Sequence, residues 1–404
     1  MAKIIPFKAV RPTRENVSLV TARSYDDYSA AELAAQLEFN PLSFLHVLNP
    51  AYTNQISVSH EKRYRLVHQK YTDFKQEGVL KQDGKPAVYI HRIVTKEQVF
   101  LGIILGTSIE DYKTDIIKKH EDTLKYRVEL FKDYIKYAGF NTEPVLMTYK
   151  DNESVQEWIS DKVAVAPDFE FTTTRKHNHY LWKIDTESDI QKLQQIFDEI
   201  GVVYIADGHH RSASAEMLYD ETNEPDEAKS HFLSFLIADS NVRIYEYNRL
   251  IKDLHGLTKE QFLKQLSDWF LITIKNQLFH PMQKHEFGMY MDGNYYSLLL
   301  KKDKCDFSSP LDQLDAQILY DKVLLPILGI ADLRNNERIE YISGKRSVDE
   351  IKQKVDEGSF KLGFTLFPSD ITEIKAIADA NQIMPPKSTY IEPKFRSGLI
   401  VYEL

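Results

Sequence analysis

Five consecutive residues carry the densest chemistry in the chain: Asp207, Gly208, His209, His210 and Arg211. An acid, a glycine, two imidazoles and a guanidinium suit a phosphate group. Arginine offers a bidentate fork to phosphate oxygens, and histidine a donor that titrates near neutrality. The run before them, Val202 to Ala206, is β-branched, aromatic and small, which predicts a buried strand. Asp-Gly predicts a turn, and the Ala-rich run Ser212 to Leu218 predicts a helix. A helix that starts just after a tight turn presents outward N–H groups and the positive end of its dipole to an anion. Cations there are disfavoured by about 0.3–1 kcal/mol each, so three in a row require an anion shared among them. The competing reading is a solvent-facing turn whose histidines cap local carbonyls.

Other candidates are scattered. Ser43 and His46 follow a helix expected over residues 29–39 and either face a site or cap local groups. Lys118, Lys119, His120, Glu121, Asp122 and Thr123 read as one helix, with Ile116, His120 and Thr123 on one side and Lys118 paired with Asp122. His120 would bind phosphate and Glu121 would accept a hydroxyl proton. His177 and His179 share a face if on a strand and offer two metal ligands, without an evident third. The tail Pro385-Pro386-Lys387-Ser388-Thr389-Tyr390, with Lys394 beyond it, is rigid and basic, and could be held over the phosphate site by a terminal strand at 398–402.

Taken in order, Pro6-Phe7-Lys8-Ala9, Asn40-Pro41-Leu42-Ser43-Phe44-Leu45-His46-Val47, Ile117 to Thr123, DGHHRSASA, and Met384 to Tyr390 with Pro393-Lys394 resemble the domain-of-unknown-function 1015 family nearly end to end. The DGHHR box also resembles the shorter phosphate-gripping box of the ParB/sulfiredoxin superfamily, which includes free-serine kinases. The chain departs from the family pattern at Arg23 to Tyr28, where the usual prolines are missing, and at Asn248-Arg249, where relatives tend to have His-Arg. Arg249 keeps its grip on an anion, but the proton role of the missing histidine does not carry over.

The resemblance implies a phosphotransferase that makes O-phospho-L-serine from free L-serine, with pyrophosphate or a nucleotide (ATP or ADP) as donor. On that reading Gly208, His209, His210, Arg211 and His120 bind phosphate. Asp207, Glu121 and His210 do the proton chemistry, and Asp207 also holds Mg²⁺. Ser43, His46, Arg249, Lys387, Ser388 and Lys394 bind the substrate. The alternatives are a phosphoester hydrolase built on the same cradle and a non-catalytic nucleotide-binding regulator.

Composition sets the frame. With 404 residues, 43% hydrophobic and 27% charged, the chain reads as globular and large enough for two or three domains. A net charge of −9 argues against a nucleic-acid or anionic-membrane binder, since backbone-phosphate binding needs a basic surface. The single Cys305 excludes internal disulfides and CxxC sites. No run approaches 18 apolar residues, and the expected location is the cytoplasm. No GxxxxGK[ST], GxGxxG, HExxH or GxSxG sequence occurs, so any phosphoryl transfer must use the DGHHR turn. The expected fold is mixed α/β. A ParB/sulfiredoxin-like core around strand–DGHHR–helix spans residues 1–252, and a second α/β domain spans 253–404, with the tail 384–397 returning to the site. A homodimer stands as an option.

Overall fold

The computed structural model describes residues 2–50, 59–223, 226–277, 279–346 and 348–404. The chain divides into two compact units. The first holds Met1–Lys119, Thr123–Val242 and Pro393–Leu404, and the second His120–Asp122 and Arg243–Glu392. The units thus part at 242/243, where the sequence suggested 252/253, and the last residues of the chain group with the first unit.

The first unit is built on a nine-stranded mixed sheet. Its strands are β1 (Ile4–Ile5), β2 (Val88–Val94), β3 (Val99–Ser108), β4 (Ile117–Lys118), β5 (Val145–Tyr149), β6 (Phe169–Thr172), β7 (Asn178–Ile184), β8 (Val203–Asp207) and β9 (His231–Ala238). The order is β4-β8-β5-β9-β3-β2-β7-β6, with β1 on β3. The apolar run of β3 lies inside the sheet between β9 and β2, as its composition requires. Alternate residues of these strands, among them Ile90, Ile103, Leu105, Met147, Ile205 and Leu236, pack with Trp158 and Phe197 into one apolar core. The strand that leads into DGHHR, β8, is next to the sheet edge, antiparallel to β5 and parallel to the short β4.

Several expectations yield to tertiary pairing. Ile117 to Thr123 is not a helix. The helix there is Ile109–Lys113, after which Ile117–Lys118 pairs with Val203 and Tyr204. The i, i+4 pair of Lys118 with Asp122 is therefore absent, and Asp122 meets Arg334 at 3.5 Å. Near the start of the chain β1, a bridge at Phe7 and a strand over Val10–Pro12 follow one another. Elsewhere local signals decide. Ser29 and Thr258 each form a capping box at the start of the helices Ala30–Phe39 and Lys259–Ser267.

The second unit carries a seven-stranded sheet. Its strands are β10 (Arg243–Ile251), β11 (Phe270–Lys275), β12 (Glu286–Met291), β13 (Asn294–Leu300), β14 (Ile339–Ser343), β15 (Leu362–Thr365) and β16 (Thr389–Glu392). The order is β11-β13-β12-β15-β10-β14, with β16 pairing the start of β10. The consecutive strands β9 and β10 enter different sheets. The β12–β13 hairpin turns at Asp292-Gly293, both in the left-handed region that this turn needs. Residues 311–324 form a 3₁₀ turn, a short α-helix and a π-turn in succession.

One packing contact tests the central sheet. A Cβ on Gly102 would stand 2.5 Å from both the Leu236 carbonyl oxygen and the Phe235 ring. Gly102→Ala is expected to destabilise the protein by about 1–3 kcal/mol. A clear fall in the urea midpoint checks this; an unchanged midpoint contradicts the close approach of β3 and β9.

Candidate functional site

The DGHHR run takes the shape its residues suggested. β8 ends at Asp207, and the helix His209–Glu221 begins directly after Gly208. Gly208 has φ +105°, a conformation side chains rarely adopt, and a Cβ there would meet the Arg211 guanidinium at 2.9 Å. Its carbonyl accepts the first helical bonds, from the N–H groups of Arg211 (2.9 Å) and Ser212 (3.1 Å). His209, His210 and Arg211 thus occupy the first turn, where N–H groups point out of the helix end.

The chain itself supplies an anion to this helix start. Arg211 folds back over Gly208. Its Nη2 lies 3.3 Å from Asp207 Oδ2, and its Nη1 lies 3.5 Å from Glu143 Oε2. Lys394, from the C-terminal tail, reaches the same Asp207 oxygen at 3.2 Å. Ser397 donates to the other oxygen of Glu143 at 2.7 Å. One network therefore joins strand end, helix start and tail. It is open to solvent: the side chains of Asp207, Lys394 and Arg211 are 38%, 33% and 25% exposed.

Burial pulls the Asp207 carboxyl upward. Lys394 and Arg211 outweigh that pull and, with His209, hold it below the usual carboxylate range. Asp207 is therefore ionised at neutral pH, a good charge partner and metal ligand but a weak base. Because its folded value is depressed, the pairing adds stability above the ordinary aspartate value and loses it as acid protonates the group.

His210 is not one of the cations. The Leu124 N–H donates to its Nε2 at 3.2 Å, which requires a lone pair there and puts the ring proton on Nδ1. A proton role for His210 would have to run through Nδ1. His209 is buried. Of the three, Arg211 is the one whose side chain pairs with Asp207, and Lys394 joins it there.

The remaining candidates divide between the units. Ser43 and His46 belong to the first and serve their own loop. Ser43 Oγ accepts from the Leu45 N–H at 3.3 Å, and the His46 ring meets the Asn40 carbonyl at 3.1 Å. His120, Glu121, Arg249, Lys387 and Ser388 belong to the second. The His120 carbonyl accepts from the Met384 N–H at 2.8 Å, and Glu121 bridges to Met384. Arg249 is buried, donates to the carbonyls of Tyr247 and Lys387, and lies 5.5 Å from the Tyr341 ring. Ser388 is buried and bonds the Pro385 carbonyl at 2.7 Å. Glu143 and Ser397 were not expected. Each is a lone polar residue whose position in the network depends on long-range packing, and no local spacing marks them.

The two-histidine metal idea does not hold. His179 Nδ1 meets His91 Nε2 at 3.1 Å, both rings are buried, and burial pushes His91 down to about 3 and His179 well below its usual value. Among the described residues no group of three or more His, Cys, Asp and Glu is placed to hold a metal ion.

A family model described as a protein of unknown function (DUF1015) matches residues 4–317. The chain belongs to that family. No curated protein matches the sequence. Solved structures similar to this DUF1015 chain include SbnI with a C-terminal truncation from Staphylococcus aureus, with TM-score 0.40, 13% identity, and 73% of this chain and 85% of that one covered. Another is a free serine kinase variant in complex with ADP, with TM-score 0.38, 13% identity, and 76% and 94% covered. A third is a conserved hypothetical protein from Pyrococcus furiosus, with TM-score 0.35, 12% identity, and 73% and 91% covered. Among the described residues no helix is long and apolar enough to cross a membrane.

The His210 assignment is directly measurable. Long-range ¹H–¹⁵N NMR at pH 7 is expected to show His210 neutral with the proton on Nδ1. A proton on Nε2 contradicts the bond from Leu124.

Proposed function

We propose that this protein is a phosphotransferase that makes O-phospho-L-serine from free L-serine, with pyrophosphate, ATP or ADP as donor. The observation that carries phosphate binding is the convergence of Arg211 and Lys394 on the exposed Asp207 carboxylate at a helix start. A phosphate arriving there takes over the two cations that Asp207 now holds, and gains the N–H groups of the first turn. Serine as acceptor and the choice of donors rest on the resemblance of the DGHHR box to free-serine kinases.

Phosphoryl transfer needs positioning and positive charge more than covalent help from the protein. In the proposed step the serine hydroxyl oxygen bonds to the donor's terminal phosphorus as the bridging P–O bond breaks, and the leaving group is phosphate from pyrophosphate, ADP from ATP or AMP from ADP. The hydroxyl proton passes to Asp207, whose weak basicity suffices if it is accepted late, as the new bond forms. Arg211 and Lys394 bind the transferring oxygens. Mg²⁺ is commonly held by one or two carboxylates together with substrate phosphates and waters, a use for which the exposed, ionised Asp207 is suited. When bound, it would neutralise charge across the donor's oxygens.

Phosphorus NMR of the full chain with Mg²⁺, L-serine and, in separate samples, pyrophosphate, ATP and ADP tests the reading. Phosphoserine is expected with one donor, with a loss of at least about a hundredfold in Arg211→Ala and in Asp207→Asn. Free phosphate without phosphoserine would replace this reading with that of a hydrolase. No turnover with any donor would replace it with that of a binding protein.

A further inference from the structure

The sheet of the second unit ends at β11, which pairs with β13 on one side and, among the described residues, with no strand on the other. The ladder shows which groups face the open side. The Lys301 N–H donates to the Trp269 carbonyl at 3.0 Å, one position before the Phe270–Leu300 pair. Alternation along an antiparallel ladder then turns the backbone groups of Leu271, Thr273 and Lys275 towards β13. Those of Phe270, Ile272 and Ile274 point the other way, and no described residue bonds to them.

Edge strands are commonly blunted by a proline, a bulge or an outward charge. β11 has neither of the first two: it reads Phe-Leu-Ile-Thr-Ile-Lys, and its register with β13 runs without a shift. Its one charge, Lys275, lies at its end, with Nζ 4.8 Å over the Phe279 ring of the same chain. Its apolar side chains are left uncovered, Leu271 at 56% and Ile274 at 64% exposure. A row of open N–H and C=O groups at strand spacing is met only by another extended backbone, so the fitting partner is a strand.

We propose that this partner is a second copy of the chain, joined edge to edge through β11 in an antiparallel pair centred on Ile272. The symmetry of the open groups selects it. Phe270 and Ile274 flank Ile272 at equal distance, so a two-fold axis through Ile272 sets every outward residue against another outward one. Ile272 meets Ile272 of the second copy, Phe270 meets Ile274 of the second copy, and every open N–H of the two strands gains an open C=O. Opposite side chains share a face, so Ile274 is covered by Phe270 of the second copy, and Leu271 faces Thr273 of the second copy. Moving the centre to Leu271 or Thr273 leaves Ile274 opposite Asp268, or Phe270 opposite Asn276, outside the strand. The contact is isologous and continues the sheet across the axis.

Sedimentation equilibrium of the full chain over a concentration series tests the joint. Wild type is expected to dimerise. Ile272→Pro removes the central N–H from both copies and keeps the strand, because proline is tolerated where an edge N–H faces outwards. It is expected to raise the dissociation constant at least about tenfold, as is Ile274→Lys, which sets a charge against Phe270 of the second copy. Thermal unfolding checks that each variant is folded. Oxidative cross-linking in a Cys305→Ser background reads the register. Residues opposite each other in a bonded pair lie about 5.5 Å apart, Cα to Cα, within disulfide reach, so Ile272→Cys is expected to link two chains and Ile274→Cys is not. A wild type that stays monomeric overturns the proposal and leaves the edge to a segment of another protein. A dissociation constant unchanged in folded Ile272→Pro also overturns it, as does a dimer that Ile274→Cys links and Ile272→Cys does not.

Discussion

The Asp207 carboxylate, shared by Arg211 and Lys394, is the interaction on which the rest of the site depends. It couples three parts of the sequence that have no local reason to meet: the end of a strand, the first turn of a helix and a tail 187 residues further on. Without a carboxylate there, two cations would face each other beside the positive end of a helix. With it, they are held close together in a partly open position. Glu143 and Ser397 extend the same arrangement and fix which way Arg211 turns.

That arrangement has a chemical consequence. An internal carboxylate that bridges two cations occupies the role a phosphate would take, so ligand binding becomes an exchange of anions rather than the filling of a bare positive site. An exchange keeps the two cations neutralised before the ligand arrives and leaves an ionised carboxylate beside the phosphate afterwards.

Much of the site's local geometry was legible in the sequence, because Asp-Gly chemistry, a β-branched run and an Ala-rich run are short-range signals. The strand ending at Asp207, the glycine at positive φ and the helix from His209 all follow from them. What could not be read depends on distant partners. Lys118 to Asp122 are acceptable helix formers, yet pairing of Ile117–Lys118 with β8 and of Glu121 with Met384 overrides that preference. The pattern of β10 marks it as a strand but not which sheet it joins. The neutral state of His210 depends on a Leu124 N–H that arrives from another loop. Family membership was legible because the quoted motifs run nearly the whole chain, whereas the acceptor and donor are not written in any one of them.

The most direct measurement is a ¹³C NMR titration of the Asp207 carboxyl, with and without saturating pyrophosphate. The account predicts that free Asp207 titrates below the ordinary aspartate value, and that pyrophosphate shifts its resonance and raises its pKa as Lys394 and Arg211 turn to the ligand. A carboxyl that titrates normally in the free protein, or one that pyrophosphate leaves unmoved, would contradict the exchange of anions at this site.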